Sequence, residues 1–245
     1  MILYNVDNIN IPFDKNWQKV AISLSGGADS ALLAYIVCTM IIEYNKDITV
    51  HVISHTRMWK TRPWQQYDSV RIFNWLSNRF KSIKFVRHTN FVAPDIEYGS
   101  RGPMLTDEYG KHVSGDNAQM RAFSEYICHT ENIDAYYNAV TRNPKDVNFN
   151  GMPERDIDPT EENQHLVIMK HMGRWALHPF RFTDKSWILQ QYSNLDIMDL
   201  FNMTRSCEGE FKDINYQTYI PGQSVPTCNV CFWCKERNWA IQTLG

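Results

Sequence analysis

Runs of apolar residues alternate along the chain with amphipathic stretches, and that alternation predicts the elements. Val20 to Leu24 (Val-Ala-Ile-Ser-Leu) reads as a short buried strand, followed by the turn Ser25-Gly26-Gly27-Ala28-Asp29-Ser30 and an apolar helix over Ala31 to Tyr44. Thr49 to Ser54 is a second strand. Pro63 to Phe80 places Tyr67, Val70, Phe73, Leu76 and Phe80 at i+3/i+4 spacing, which predicts a second helix. Ile83 to Arg87, Ala135 to Val140 and, more weakly, Trp175 to Phe180 complete the strands. Further helices are predicted over Asn117 to Thr130 and from Thr183, read as an N-cap, to about Tyr192. Strands alternating with helices imply an α/β fold with a doubly wound, mostly parallel sheet of the Rossmann-like kind. Ligands in such folds sit beyond the carboxyl ends of the strands, where residues 25–30 fall. Two stretches break the pattern: His88 to Asp116, with Gly99, Gly102, Gly110 and Gly115, and Asn143 to Gln164, with three prolines and several acids.

The turn has chemistry of its own. Two adjacent glycines permit torsions closed to other residues and let an anion approach the backbone. The helix that begins near Asp29 offers unpaired N–H groups and a positive dipole end, and Ser25 and Ser30 add hydroxyls. Together they form an anion cradle suited to phosphate. No Gly-Lys-Ser/Thr follows, so it is not a Walker A loop, and it is not G-x-G-x-x-G. Asp29 would repel a phosphate unless Mg2+ lay between them. The same spacing also suits an ordinary strand-to-helix turn capped by Asp29 and Ser30.

Composition narrows the class. The chain has 245 residues, 43% apolar and 13% aromatic, enough for one substantial core. A formal charge of -2 disfavours stable nucleic-acid binding. The longest apolar stretch, Ala31 to Ile42, is shorter than the roughly twenty residues a membrane span needs. No basic-then-apolar leader opens the chain, and a cytoplasmic location is expected. Cys38 and Cys128 stand alone, whereas Cys207, Cys228, Cys231 and Cys234 crowd the C-terminal part. In a cytoplasmic chain that clustering predicts a four-thiolate metal site, zinc before an iron–sulfur cluster. The histidines show no ligand spacing.

Ser-Gly-Gly-x-Asp-Ser after the first strand resembles the pyrophosphatase loop (PP-loop) of ATP-dependent adenylating enzymes. Three further elements are similar to the 7-cyano-7-deazaguanine synthase family within that superfamily. They are Thr204-Arg205-Ser206-Cys207 with Cys228-x2-Cys231-x2-Cys234-x2-Arg237, Pro179-Phe180 with Lys185 and Ile188, and Asn150-Gly151-Met152-Pro153-Glu154-Arg155. In order, they span residues 20 to about 238. The resemblance implies a PP-loop nucleotide-binding domain over 1–203 and a zinc-binding segment over 204–245. It also implies ATP, Mg2+ and Zn2+ as cofactors, 7-carboxy-7-deazaguanine and ammonia as substrates, and a homodimer. Ser23, Leu24, Ser25, Gly26, Gly27, Asp29, Ser30, Ser54 and His55 would hold the nucleotide. Asp29, Ser30 and Lys185 would serve catalysis, Asn117, Glu154 and Arg155 would hold the substrate, and the four cysteines the metal. By its own spacing Lys185 is equally a solvated first-turn lysine, and Glu154 equally one of a solvated acidic group. Trp59 and Trp64 are either stacking or core residues. The chain departs from the family at Ser54-His55-Thr56, at Asp116 and at Glu154, which leaves a modified substrate or a different acceptor as the alternative.

Overall fold

The computed structural model describes residues 1–57, 64–92, 104–106, 112–152, 166–169, 174–208 and 225–244; for 104–106, 112–118, 166–169 and 174 it describes the backbone alone. Glu154, Arg155 and Trp59 lie outside these residues, and the side chain of Asn117 does too.

The central sheet has six strands. In chain order these are β3 (Lys19–Ser23), β4 (Thr49–Arg57), β5 (Lys84–Val92), β8 (Ala135–Tyr137), β9 (Leu166–Met169) and β10 (Arg174–Leu177), arranged β5-β4-β3-β8-β10-β9. All neighbours are parallel except β9, which runs antiparallel on the edge. The strand order turns back on itself between β3 and β8, so the crevice of the fold opens beside the residues that follow β3. Helix α1 (Ala28–Glu43) is buried on nearly every side, as expected of a helix with no polar face, and α2 (Gln65–Arg79) lies beside it. Helix α3 (Gly115–Thr130) covers the opposite face, where Ile127 and Cys128 pack on Ala21, Ile53 and Tyr136. Helices α4 (Lys185–Asn194), α5 (Met198–Met203) and α6 (Phe232–Leu244) close over α1, and Ala240 of α6 joins the main core. No helix of the described residues is long and apolar enough to cross a membrane.

Several boundaries differ from those read in the sequence. Helix α1 starts at Ala28, because Gly27 takes the extended conformation of an N-cap. The cap of α4 is Asp184, not Thr183: its carboxylate accepts the N–H groups of Ser186 and Trp187, while the Thr183 hydroxyl donates to the carbonyl of Phe180. Strand β5 runs on to Val92, held by a register with β4 that continues to Arg57. An unanticipated hairpin joins β1 (Ile2–Val6) to β2 (Ile9–Phe13) through Asp7 and Asn8, both at positive φ. That is the two-residue turn for which Asp and Asn are suited. Ile11 and Phe13 plug it into the core, and the Tyr137 hydroxyl donates to the Pro12 carbonyl at 2.6 Å. A short hairpin, β6 (Met104–Thr106) with β7 (His112–Ser114), precedes α3.

The face toward α3 carries a buried histidine, His51, and two half-buried ones, His55 and His88. His51 stacks on His88 with Nδ1 and Nε2 at 3.0 Å, and His55 Nε2 lies 3.0 Å from the Ser124 hydroxyl. Burial, with neighbouring positive charge, pushes both His51 and His55 down to about 4, so the folded chain keeps them neutral. Unfolded histidine titrates near 6.5. Their contribution to stability is therefore full above that pH and is lost as pH falls toward 4. Urea unfolding at pH 7 and pH 5 should show the loss, at most about 1.4 kcal/mol per pH unit for each histidine.

Candidate functional site

The loop after β3 is built by its own hydroxyls. Leu24 is fully buried and its N–H donates to the carbonyl of Ile53 at 2.8 Å, which ends the sheet. The Ser25 N–H then donates to Ser30 Oγ at 3.2 Å, and the Gly27 N–H to Ser25 Oγ at 3.3 Å. Ser30 Oγ donates in turn to the Gly27 carbonyl at 3.1 Å. No side chain caps α1, which leaves first-turn N–H groups directed at the crevice for a ligand. Gly26 sits at φ +88°, and a Cβ there would come within 2.8 Å of Asp68 Cβ and 3.2 Å of the Ser69 nitrogen. Gly26→Ala should cost about 1–2 kcal/mol from the backbone alone and displace the loop. Chemical unfolding and an ATP titration would measure the two effects.

Lys185 is not solvated. Its side chain is 5% exposed, and its ammonium donates to both oxygens of Asp29 at 2.5 Å. Helix α4 delivers this cation across the mouth of the loop, and the Tyr192 hydroxyl of the same helix donates to the Ala28 carbonyl at 2.7 Å. A cleft with an empty volume of about 490 Å³ is lined by Ser25, Gly27, Asp29 and Lys185 together with Trp64, Gln65, Asp68, Arg205–Glu208 and Trp233. Trp64 is 1% exposed and lies under the Arg205 guanidinium at 4.8 Å, so it is a core residue that also walls the cleft. Burial pushes Asp68 up to about 6 against the opposing pull of Arg205 and Arg71.

The other residues expected at the nucleotide divide between the faces of the sheet. Ser23 and His55 face α3, where the Tyr136 hydroxyl contacts both Ser23 and Ser124 and where Asn90 meets His55 Nδ1 at 3.3 Å. Ser54 alternates to the α1/α2 face, 1% exposed, and its hydroxyl has no partner among the described residues. Sequence reasoning missed Asp68, Gln65 and Trp233. Asp68 carries no signal of its own there, since a first-turn acid on a helix is ordinary.

The four cysteines converge. The Sγ atoms of Cys207, Cys228, Cys231 and Cys234 all lie within 4.8 Å of one another, and could hold a metal ion. Cys207 to Cys228 is 3.5 Å and Cys228 to Cys234 is 4.0 Å. These bracket the roughly 3.8 Å edge of a tetrahedron with metal–sulfur bonds near 2.3 Å. The N–H groups of Cys228 and Cys231 donate to Cys207 Sγ and Cys228 Sγ at 3.3 and 3.4 Å, which steadies thiolate charge. Hydrogen bonding with Cys207 leads the effects that push Cys231 up to about 12 and raise Cys234, so the group favours protons until a cation replaces them.

Metal segment and loop are tied together. The Arg205 N–H donates to the Gly26 carbonyl at 2.8 Å, and its guanidinium donates to the carbonyls of Val225 and Pro226. Trp64 Nε1 donates to the Cys207 carbonyl at 3.4 Å. Arg237, three residues past Cys234, holds Thr204 Oγ1 at 2.8 Å and the Phe201 carbonyl at 3.0 Å.

Fold and site together define an α/β protein with a doubly wound, mostly parallel sheet, a glycine turn at its switch point and, beside that turn, four cysteines that could hold a metal ion. No protein-family model and no curated protein matches the chain. Among solved structures, the chain is similar to the U34-tRNA thiolase NcsA from Methanococcus maripaludis, a structure with a 4Fe-4S cluster, at 13% identity and a TM-score of 0.44. The match covers 93% of this chain and 65% of that one, so the chain spans somewhat under two thirds of that protein's length.

Proposed function

We propose that the protein is an ATP-dependent adenylating enzyme that converts 7-carboxy-7-deazaguanine and ammonia to 7-cyano-7-deazaguanine. The observation that carries the reading is the convergence on one cleft of the Ser25–Ser30 loop, the Asp29–Lys185 pair and the Cys207 segment. The loop amides and the N-terminus of α1 would hold the departing pyrophosphate, and Lys185 would offset charge at the α phosphate. The substrate carboxylate oxygen attacks the α phosphorus and pyrophosphate leaves. Ammonia adds to the acyl carbon and AMP departs, giving the amide. The amide oxygen is adenylated by a second ATP, and loss of AMP and protons leaves the nitrile. Little of this needs a strong acid or base; alignment of two polyanions supplies most of the rate. Mg2+ would accompany ATP on the loop.

Zn2+ fits the cysteines. One ion suits thiolates this close, whereas in an iron–sulfur cubane each thiolate binds a different iron and the four spread apart. With four thiolates the zinc has no open position, and its part is to hold the segment in place. A cytoplasmic homodimer belongs to the same reading.

The second reading keeps the adenylation and changes the acceptor to a modified deazaguanine, a conjugation partner or a tRNA. It draws on the departures at Ser54-His55-Thr56, which stand near the carboxyl end of β4. Cys38 and Cys128, the cysteines outside the cluster, are buried, so neither is placed to carry sulfur.

Incubation with ATP, ammonia and 7-carboxy-7-deazaguanine, followed by mass spectrometry, tests both. Nitrile with two AMP per product supports the first reading. AMP release with the deazaguanine unchanged moves the acceptor elsewhere. No AMP release under any acceptor overturns adenylation.

A further inference from the structure

Asp68 is an acid of the cleft that meets no hydrogen-bond donor among the described residues. It is 4% exposed, in the first turn of α2, and it lines the same cleft as Asp29. The two guanidinium groups that act on it electrostatically are committed elsewhere: Arg71 donates to the Met203 carbonyl at 2.9 Å, and Arg205 to Val225 and Pro226. Asp29, by contrast, has both oxygens met by Lys185. A buried carboxylate without a donor costs several kcal/mol and calls for a cation.

Its position says which cation. The close approach of Asp68 Cβ to Gly26 is what forbids a side chain there, so this carboxylate lies against the turn proposed to hold the phosphates. A polyphosphate on that turn and an uncompensated carboxylate beneath it repel each other unless a cation stands between them. Mg2+ binds in this manner, through one or two carboxylates, phosphate oxygens and retained waters. We infer that Asp68 is a magnesium-binding carboxylate of the nucleotide site, meeting the ion that accompanies ATP on the loop. The inference rests on the nucleotide reading of the loop.

The test uses Mn2+ as the probe, with water-proton relaxation reporting its binding to the full chain in the presence of ATP. Asp68→Asn should weaken Mn2+ about tenfold or more in the ternary complex, while ATP binding without metal is retained or tightened, because the repelling charge is gone. Asp68→Glu, which keeps the charge, should restore most of the Mn2+ affinity. Unchanged Mn2+ affinity in Asp68→Asn overturns the inference, and so does equal weakening of ATP with and without metal, which would make Asp68 a prop for Gly26. Wild-type protein that binds no ATP at all removes the nucleotide reading itself, a result separate from any difference between variants.

Discussion

Removing the metal from Cys207, Cys228, Cys231 and Cys234 is expected to disable ATP binding as well as the C-terminal segment. The reason is mechanical. The segment that carries Cys207 also carries Arg205, whose N–H holds the Gly26 carbonyl at 2.8 Å, and the Cys207 carbonyl anchors the Trp64 wall of the cleft. The carbonyls that fix the Arg205 guanidinium, at Val225 and Pro226, lead directly into Cys228. Without a cation the four thiolates repel or take up protons, and Cys207 separates from the 228–234 turn. Binding energy at structural zinc is folding energy, on the order of 10 kcal/mol in small zinc domains. Cys228→Ser, or treatment with a chelator, should release stoichiometric metal and weaken ATP about tenfold or more, the scale on which lost supporting contacts are felt. Metal analysis and ATP calorimetry on the same samples decide it. Metal-free protein with unchanged ATP affinity would show that the two sites are independent.

Lys185→Met should be the most damaging single change at the cleft. Lys185 and Asp29 are 5% and 19% exposed, so the substitution strands a carboxylate with little water to solvate it. Breaking such a pair by removing one partner costs on the order of 3 kcal/mol. Asp29→Asn combined with Lys185→Met leaves no lone charge and should recover most of the stability in urea unfolding. ATP–pyrophosphate exchange should nevertheless stay near background in both variants, because the cation proposed to offset phosphate charge is gone. If the double variant regains exchange along with stability, Lys185 acts on folding alone.

Much of the fold was legible in the chain because it is written locally. The apolar centre of β3, Val20 to Ile22, and the long apolar run of α1 from Ala31 to Val37 report burial on both faces, as a covered parallel sheet provides. The N-terminal hairpin was not read from the sequence, because its two short strands are weakly patterned beside the core elements and Asp7-Asn8 marks no more than a turn. Nor was the shift of the α4 cap from Thr183 to Asp184, since adjacent capping residues compete and the winner depends on how the chain enters the helix.

By itself, the sequence determined the loop at the end of β3, the four ligand-type cysteines and the succession of strands and helices. Each depends on residue types at short spacing, where backbone geometry and side-chain chemistry act directly. Tertiary structure decided what those pieces face. Lys185 and Asp29 are 156 residues apart, and they meet because α4 packs on α1. Asp68 reaches the cleft because Gly26 lets α2 come close. The metal segment touches the loop because Arg205 and Trp64 bridge elements distant in the chain. Contacts at such separations follow from which faces bury together, and a linear pattern of hydrophobic and polar residues does not record that choice.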